Sequence, residues 1–296
     1  MLIRPHRTLW SNAFRQFRRH RLAMFGLVTM TVIILATAVG PIIYPQPIDE
    51  IDMTNRLAAP SAAHPLGTDD LGQDLLARIL YGGRVSIAVG VAAMVIAVVI
   101  GTIVGALAGF FGGLVDGACM RVVDLLICLP GLPLLMLIIY LFRDRMREMM
   151  GPEAGIFLLM VIVIGGLRWM SVARLVRASF LSIKQREYIE AARALGVPSH
   201  RQVLVHMLPN SLSPVIVAAS LGVAAAIIAE SSLSFLGLGF PPDMPAWGRL
   251  LFDAKDQLDT APHWALFSGL MIFLTVLCIN FIGDGLRDAL DPRKTQ

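Results

Sequence analysis

Six stretches of this chain, near residues 22–44, 85–111, 122–142, 154–171, 210–236 and 264–283, are apolar for about the thickness of a bilayer. A hydrocarbon core of about 30 Å needs roughly 20 helical residues to cross it. The chain is 56% hydrophobic and 16% charged, where a soluble domain carries about a quarter charged residues. Its apolar residues fall in continuous runs and not in amphipathic stripes. The spacing therefore predicts an all-α membrane protein with six transmembrane helices. The fourth run is short. The fifth, Leu212 to Phe240, overshoots a perpendicular span and is expected to tilt or to break near Ser231–Ser234.

Orientation follows from lysine and arginine. Basic residues collect in the N-terminal arm (Arg4, Arg7, Arg15, Arg18, Arg19, Arg21), in the segment after the fourth run (Arg174, Arg177, Lys184, Arg186, Arg193, Arg201) and in the tail (Arg287, Arg293, Lys294). With six spans all three lie on one side. The opposite side opens with an acidic loop: Asp49, Glu50, Asp52, Asp69, Asp70 and Asp74. The expected order is a cytoplasmic arm at 1–21, a first helix at 22–44 and an extracytoplasmic loop at 45–84. A five-helix core at 85–283 carries a cytoplasmic loop at 172–209, and a cytoplasmic tail covers 284–296. The arm signals topology; it can also form an amphipathic helix on the inner leaflet, with Phe14, Phe17 and Leu22 on one side. The first run lacks a small-residue cleavage site and reads as a retained span. A net charge of +4 is too modest to suggest nucleic acid. Cys119, Cys128 and Cys278 lie in or beside apolar runs, so no extracytoplasmic disulfide is expected.

The 172–209 loop is polar between two apolar runs and reads as two short helices around a glycine corner. Glu187 to Leu195 holds good helix formers. Gly196 suits the left-handed residue that ends a helix, and Pro198 forbids continuation. Ser199 is expected to cap a second helix, His200 to Leu208. Pro209 is expected to close it, and Ser213-Pro214 to open the next span. Ala191, Ala192 and Ala194 make one face small enough for a partner backbone to come close. Glu190 can meet a partner cation or pair with Arg193 or Arg186. By spacing alone a solvated hairpin serves equally well.

Glu190-Ala191-Ala192, then Gly196, then Leu208-Pro209 resembles the EAA loop of importer permeases in the ABC superfamily. His206 stands where that pattern often has isoleucine. His206 to Asn210 resembles the subfamily importing dipeptides, oligopeptides and nickel. So do His64-Pro65-Leu66-Gly67-Thr68-Asp69 with Gly72 and Asp74, Ser232 to Gly239 with Pro245-Ala246-Trp247-Gly248, and Gly283 to Pro292. The match runs from about 10 to 293, and its order and tail look like the second of two paired permease subunits.

The resemblance implies a type I ABC importer permease with a coupling helix at 187–195. Glu190, Ala191, Ala192, Arg193, Gly196, Leu208 and Pro209 would couple it to a separate ATPase. The partners it implies are a homologous permease in a heterodimer, two ATP-binding subunits, an extracytoplasmic substrate-binding protein and membrane lipid, in the inner membrane of a bacterium. The chain would bind no cofactor or metal itself, ATP and Mg being used by the partners. Peptides lead as cargo, with nickel chelates, glutathione or glycosides behind. The chain has no Gly-x-x-x-x-Gly-Lys-Ser/Thr loop to cradle phosphates.

Among single residues, Glu230 is the acid well inside an apolar run. With Ser231 and Ser234 it is a candidate for the path or a gate, or else a hydrogen-bonded acid at the outer end of its span. Asp69, Asp70 and Trp247 are candidates for binding-protein contact, Trp247 also for an interfacial anchor. Arg168 and Trp169, at the inner end of the fourth run, read as snorkelling. Asp116, Arg121 and Asp124 are expected to pair with each other or with a neighbouring span. A secondary transporter would show internal repeats and intramembrane charges for ion coupling, and an intramembrane hydrolase would need a nucleophile set or HExxH spacing. Glu230 is the one candidate charge and no convincing repeat accompanies it, and neither HExxH nor Gly-x-Ser-x-Gly is found.

Overall fold

The computed structural model describes residues 9–290, with side chains from Phe14 onward. Arg4 and Arg7 of the arm, and Arg293 and Lys294 of the tail, lie outside the described residues. Among the described residues the regular structure is helical. In order the helices are α1 Leu9–Arg19, α2 Arg21–Ile43, α3 Leu75–Phe111, α4 Gly113–Ile127, α5 Gly131–Met150, α6 Pro152–Lys184 and α7 Glu187–Ala194. They continue with α8 Ser199–Arg201, α9 Leu208–Phe235, α10 Trp247–Ala254 and α11 Pro262–Leu290.

Five helical stretches are long and apolar enough to cross a membrane on their own. The third expected span is different. The 122–142 run is split between α4 and α5, which bend by 86° across Cys128–Pro130. Pro130 lacks an N–H and disfavours helical geometry at Leu129, so the helix cannot pass. The other spans outrun their apolar windows. α3 starts ten residues before the expected 85, and α6 runs to Lys184 where 171 was expected. At about 1.5 Å per residue these helices exceed a bilayer, so their polar ends project from it.

Two loop expectations are also corrected. Pro209 does not close a helix, and Ser213-Pro214 does not open one. Ser199 to Phe235 is a single helical stretch through a π-helical turn at Gln202–Met207. A proline ring clashes with the carbonyl four residues back, and the wider π turn just before Pro209 removes that conflict. Ser199 starts the helix, but its side chain makes no cap; Pro198 holds the cap position. The stretch shows no break at Ser231–Ser234 and ends at Phe235, with Leu236 as its C-cap before Gly237 at φ +81°.

Packing between spans rests on small residues, as expected where lipid is as apolar as leucine. Gly101, Gly105 and Gly109 of α3 lie against α6. A Cβ on Gly105 would come 2.4 Å from the Ala173 carbonyl oxygen, and one on Gly109 would come 2.6 Å from the Phe180 Cβ. Gly165 of α6 returns the contact against Ala93 of α3. α1 folds back on α11: Phe17 is buried with Ala23 and Ala289, and Gln16 donates to the Asp288 carbonyl at 2.9 Å. Phe14 and Leu22 remain exposed.

Residues 45–74 and 236–261 form a lobe at the end of the bundle where α3 begins. The elbow around α7 lies at the other end, beside the close of α3. Lys184 Nζ donates there to the Phe110 carbonyl at 2.6 Å.

Candidate functional site

The elbow is built on a buried foot. Ile189 is wholly buried against Phe180 of α6 and Met207 of the π turn, so α7 is held on the bundle by one apolar residue of its inner face. Its end is a Schellman motif. Val197 N–H donates to the Ala192 carbonyl and Gly196 N–H to the Arg193 carbonyl, both at 3.0 Å. Gly196 has φ +73°, as its position predicted, and a Cβ there would meet nothing within 4 Å. Gln202, buried, ties the corner by donating to the Val197 carbonyl at 2.6 Å.

On this foot Glu190, Ala191, Arg193 and Ala194 are exposed and Ala192 is half-buried. Leu208 is half-buried and Pro209 exposed. The sequence reading missed the apolar part of the surface. Leu195 is 84% exposed, Leu204 60%, Val205 55% and Tyr188 46%. An apolar leucine in a polar stretch, directly before the left-handed glycine, was the available signal. A surface of small and apolar groups bordered by Glu190 and Arg193 can receive a protein partner. Charge at the base of the elbow is fixed. Asp116 forms a two-pronged pair with Arg177, its second contact at 2.6 Å, and Asp124 pairs with Arg174. Both acids thus pair with α6.

The lobe contrasts with this. Asp69 is 2% exposed and Trp247 wholly buried, which removes both from the candidate binding-protein contacts, and Trp247 from the interfacial anchors. The Asp69 carboxylate accepts from the backbone N–H groups of Leu71 (2.9 Å) and Gln73 (2.8 Å) and lies 3.3 Å from Arg78. Burial pushes this carboxyl above the usual range, with the Arg78 guanidinium opposing. Trp247 donates Nε1–H to the Ile79 carbonyl at 3.0 Å and its backbone N–H to Ser86 Oγ at 3.2 Å. Its ring lies over Gly83, where a Cβ would come within 2.7 Å. Asp74 caps α3 by accepting from Ala77 N–H at 2.8 Å, and its other oxygen meets Tyr44 OH and His64 Nδ1, each at 2.9 Å. Asp70 stays half-exposed.

Glu230, near the lobe end of α9, is wholly buried. Ser234 Oγ donates to it at 2.8 Å and Ser231 Oγ at 3.3 Å. Arg168 is not at an inner helix end, because α6 continues for sixteen residues beyond it. Its guanidinium donates to the Ala225 carbonyl of α9 at 2.8 Å.

Comparison with known proteins places this architecture. The profile described as binding-protein-dependent transport system inner membrane component matches residues 101–296. The N-terminal transmembrane domain of oligopeptide transport permease C matches residues 8–60. The chain is 39% identical to the dipeptide transport system permease protein DppC of Alkalihalophilus pseudofirmus, over 96% of this chain and 90% of that one. It is 42% identical to the oligopeptide transport system permease protein OppC of Haemophilus influenzae, over 97% and 89%. It is 38% identical to the glutathione transport system permease protein GsiD of Pectobacterium atrosepticum, over 97% and 92%. The inward-facing structure of the MetNI methionine ABC transporter shares the fold, with a TM-score of 0.56 and 20% identity over 72% of this chain and 96% of that chain. The chain belongs to the family of binding-protein-dependent transport system inner membrane components. It is a multi-pass inner-membrane permease subunit of type I ABC importer architecture, and ATP hydrolysis lies with a separate subunit.

Proposed function

We propose that the chain forms half of the path by which an ATP-driven importer moves dipeptides or oligopeptides across the bacterial inner membrane. It pairs with a homologous permease as a heterodimer. Two ATPase subunits, which use ATP and Mg, dock at the two elbows, and a substrate-binding protein delivers cargo to the lobe face, where Asp70 is the accessible acid. Both termini and the elbow are cytoplasmic, in keeping with the arginine bias. The observation that carries the reading is the elbow itself: an 84% exposed leucine and a small alanine face on a helix whose foot, Ile189, is fully buried. Glu190, Ala191, Ala192, Arg193 and Gly196 form the contact. Leu208 and Pro209 pass its displacement into α9, and the ATPase does work through the difference in contact energy between its two states. At the far end of α9 the enclosed Glu230, Ser231 and Ser234 hold the outer gate.

The relatives named for dipeptides and oligopeptides favour peptide cargo, and the relative named for glutathione favours a second reading, glutathione itself. Expression with neighbouring subunits tests both. Two chains with nucleotide-binding loops should co-purify, and uptake of labelled dipeptide, oligopeptide and glutathione should rank the cargo. Purification of the permease without any ATPase, from cells expressing the whole system, would refute the docking reading.

A further inference from the structure

A cavity of about 230 Å³ lies between α3, α5, α6 and α9, lined by Met94, Gly131, Leu135, Arg168, Ser171 and Gly222. Its level is the middle of the bundle. Arg168 is the central residue of the 33-residue α6, Met94 lies within a residue of the midpoint of α3, and Gly222 is at the centre of α9. Gly131 is the first residue after the 86° break, so the bend between α4 and α5 opens one wall. Ser171 is exposed to this space, one helical turn from Arg168.

Arg168 falls inside the apolar 154–171 run, three residues from its inner end, and a cation within such a run is ordinarily paired or functional. Arg168 has no carboxylate partner among the described residues: every described arginine ion pair involves Arg78, Arg174, Arg177 or Arg249. Its protein acceptor is the carbonyl of Ala225. That bond orients the guanidinium across the α6–α9 gap without neutralising it. A guanidinium offers five donors in a planar fork that matches a carboxylate in two-pronged fashion. We infer that the cavity at Arg168 is an anion subsite on the translocation path, which takes a carboxylate of the passing solute between the arginine fork and Ser171. The volume suits one end of a solute and not a whole oligopeptide. Attraction here offsets the desolvation of a carboxylate entering the membrane, and the lone cation lets it leave again when the helices move. The identity of that carboxylate as a peptide C-terminus rests on the function proposed above; the subsite itself does not.

Thiol chemistry separates the two. In the complete complex in proteoliposomes, with Cys119, Cys128 and Cys278 replaced by serine, Ser171→Cys is exposed during ATP turnover to anionic sulfonatoethyl and cationic trimethylammonioethyl methanethiosulfonate. The anionic reagent should react faster by about tenfold relative to a reference thiol at Ala62→Cys in the lobe. Adding Arg168→Gln should abolish that preference and Arg168→Lys should keep most of it. A Ser171→Cys thiol with no anionic preference, or one that neither reagent reaches, overturns the subsite with Arg168 intact, whatever the variants do to assembly. Equal preference in the Arg168→Gln complex overturns it too. In a second arm, uptake of a peptide is compared with that of its C-terminal amide, both chosen for equal affinity to the binding protein. Arg168→Gln should slow the free acid about tenfold and leave the amide unchanged; equal slowing of both overturns the assignment to the C-terminus. An anionic preference at Ser171→Cys with no uptake of either peptide keeps the subsite and refutes the peptide reading.

Discussion

Gly72 in the lobe and Gly196 in the elbow have nearly the same backbone conformation, φ +76° and +73°, and opposite surroundings. A Cβ on Gly72 would lie 1.8 Å from the Asp52 carbonyl oxygen, whereas one on Gly196 would meet nothing within 4 Å. The lobe turns its polar groups on one another: Asp69 with Arg78, Asp74 with Tyr44 and His64, and Trp247 with Ile79 and Ser86. The elbow leaves its helix end satisfied and its side chains bare. Motif residues in the lobe are thus held by the chain itself, and those in the elbow are left for another surface. Residues that look alike in a sequence pattern carry different consequences at the two ends.

Substitutions sharpen this contrast. Trp247→Ala should cost the most, about 4 kcal/mol, because it empties a fully buried aromatic site over Gly83. Thermal unfolding of the detergent-solubilised complex reads it, and an unchanged Tm would contradict the packing described. Asp69→Asn should follow at about 3 kcal/mol, by removing the ion-pair partner of the buried Arg78 and leaving only the more distant Asp253 and Asp70 to offset it. The double variant Asp69→Asn with Arg78→Met should recover part of that loss. In the elbow, Gly196→Val should cost about 1–2 kcal/mol, since only the left-handed backbone opposes it and no neighbour does. It should still insert, yet bind ATPase poorly, as measured by co-purification. Gly196→Asn should be milder, because asparagine tolerates that conformation. Leu195→Ser should have the smallest effect on stability, within about 0.5 kcal/mol, as an exposed surface change. Its ATPase-stimulated transport should nonetheless fall. A Leu195→Ser complex with full transport would erase the distinction between the two ends.

Five of the six spans, the elbow helix and the glycine corner were legible because each rests on local chemistry: apolar length, arginine position, and a glycine two residues before a proline. Helix ends were not. Hydropathy marks the apolar run, while α3 extends ahead of it at Gly82 and Gly83, against Ala246 and Trp247, and α6 extends past it at Phe180, against Gly109; a run of apolar residues does not reveal these contacts. The Gly101, Gly105 and Gly109 spacing was visible and points to that contact. Trp247 was misplaced because a tryptophan beside an apolar run usually marks an interface; here Gly83 clears space for its ring, while Gly82 and Gly248 let the backbone on either side of it close on α3 and Ser231, which no single-residue rule sees. Arg168 stands at the inner end of the apolar run, as expected, yet not at the end of its helix. Because α6 runs to 33 residues, the end of its apolar run falls near the centre of the helix.

From Ser199 to Phe235 the chain is one rod of 37 residues, about 55 Å long, with a slack coil at Gln202–Met207. A rod cannot be tipped at one tip alone. A tilt of a few degrees at the alanine corner sweeps the far tip, with its serines and acid, sideways by several ångströms, while its middle moves by half as much. The slack coil beside the corner sets how much of a sudden shove is absorbed before the rest of the rod must follow.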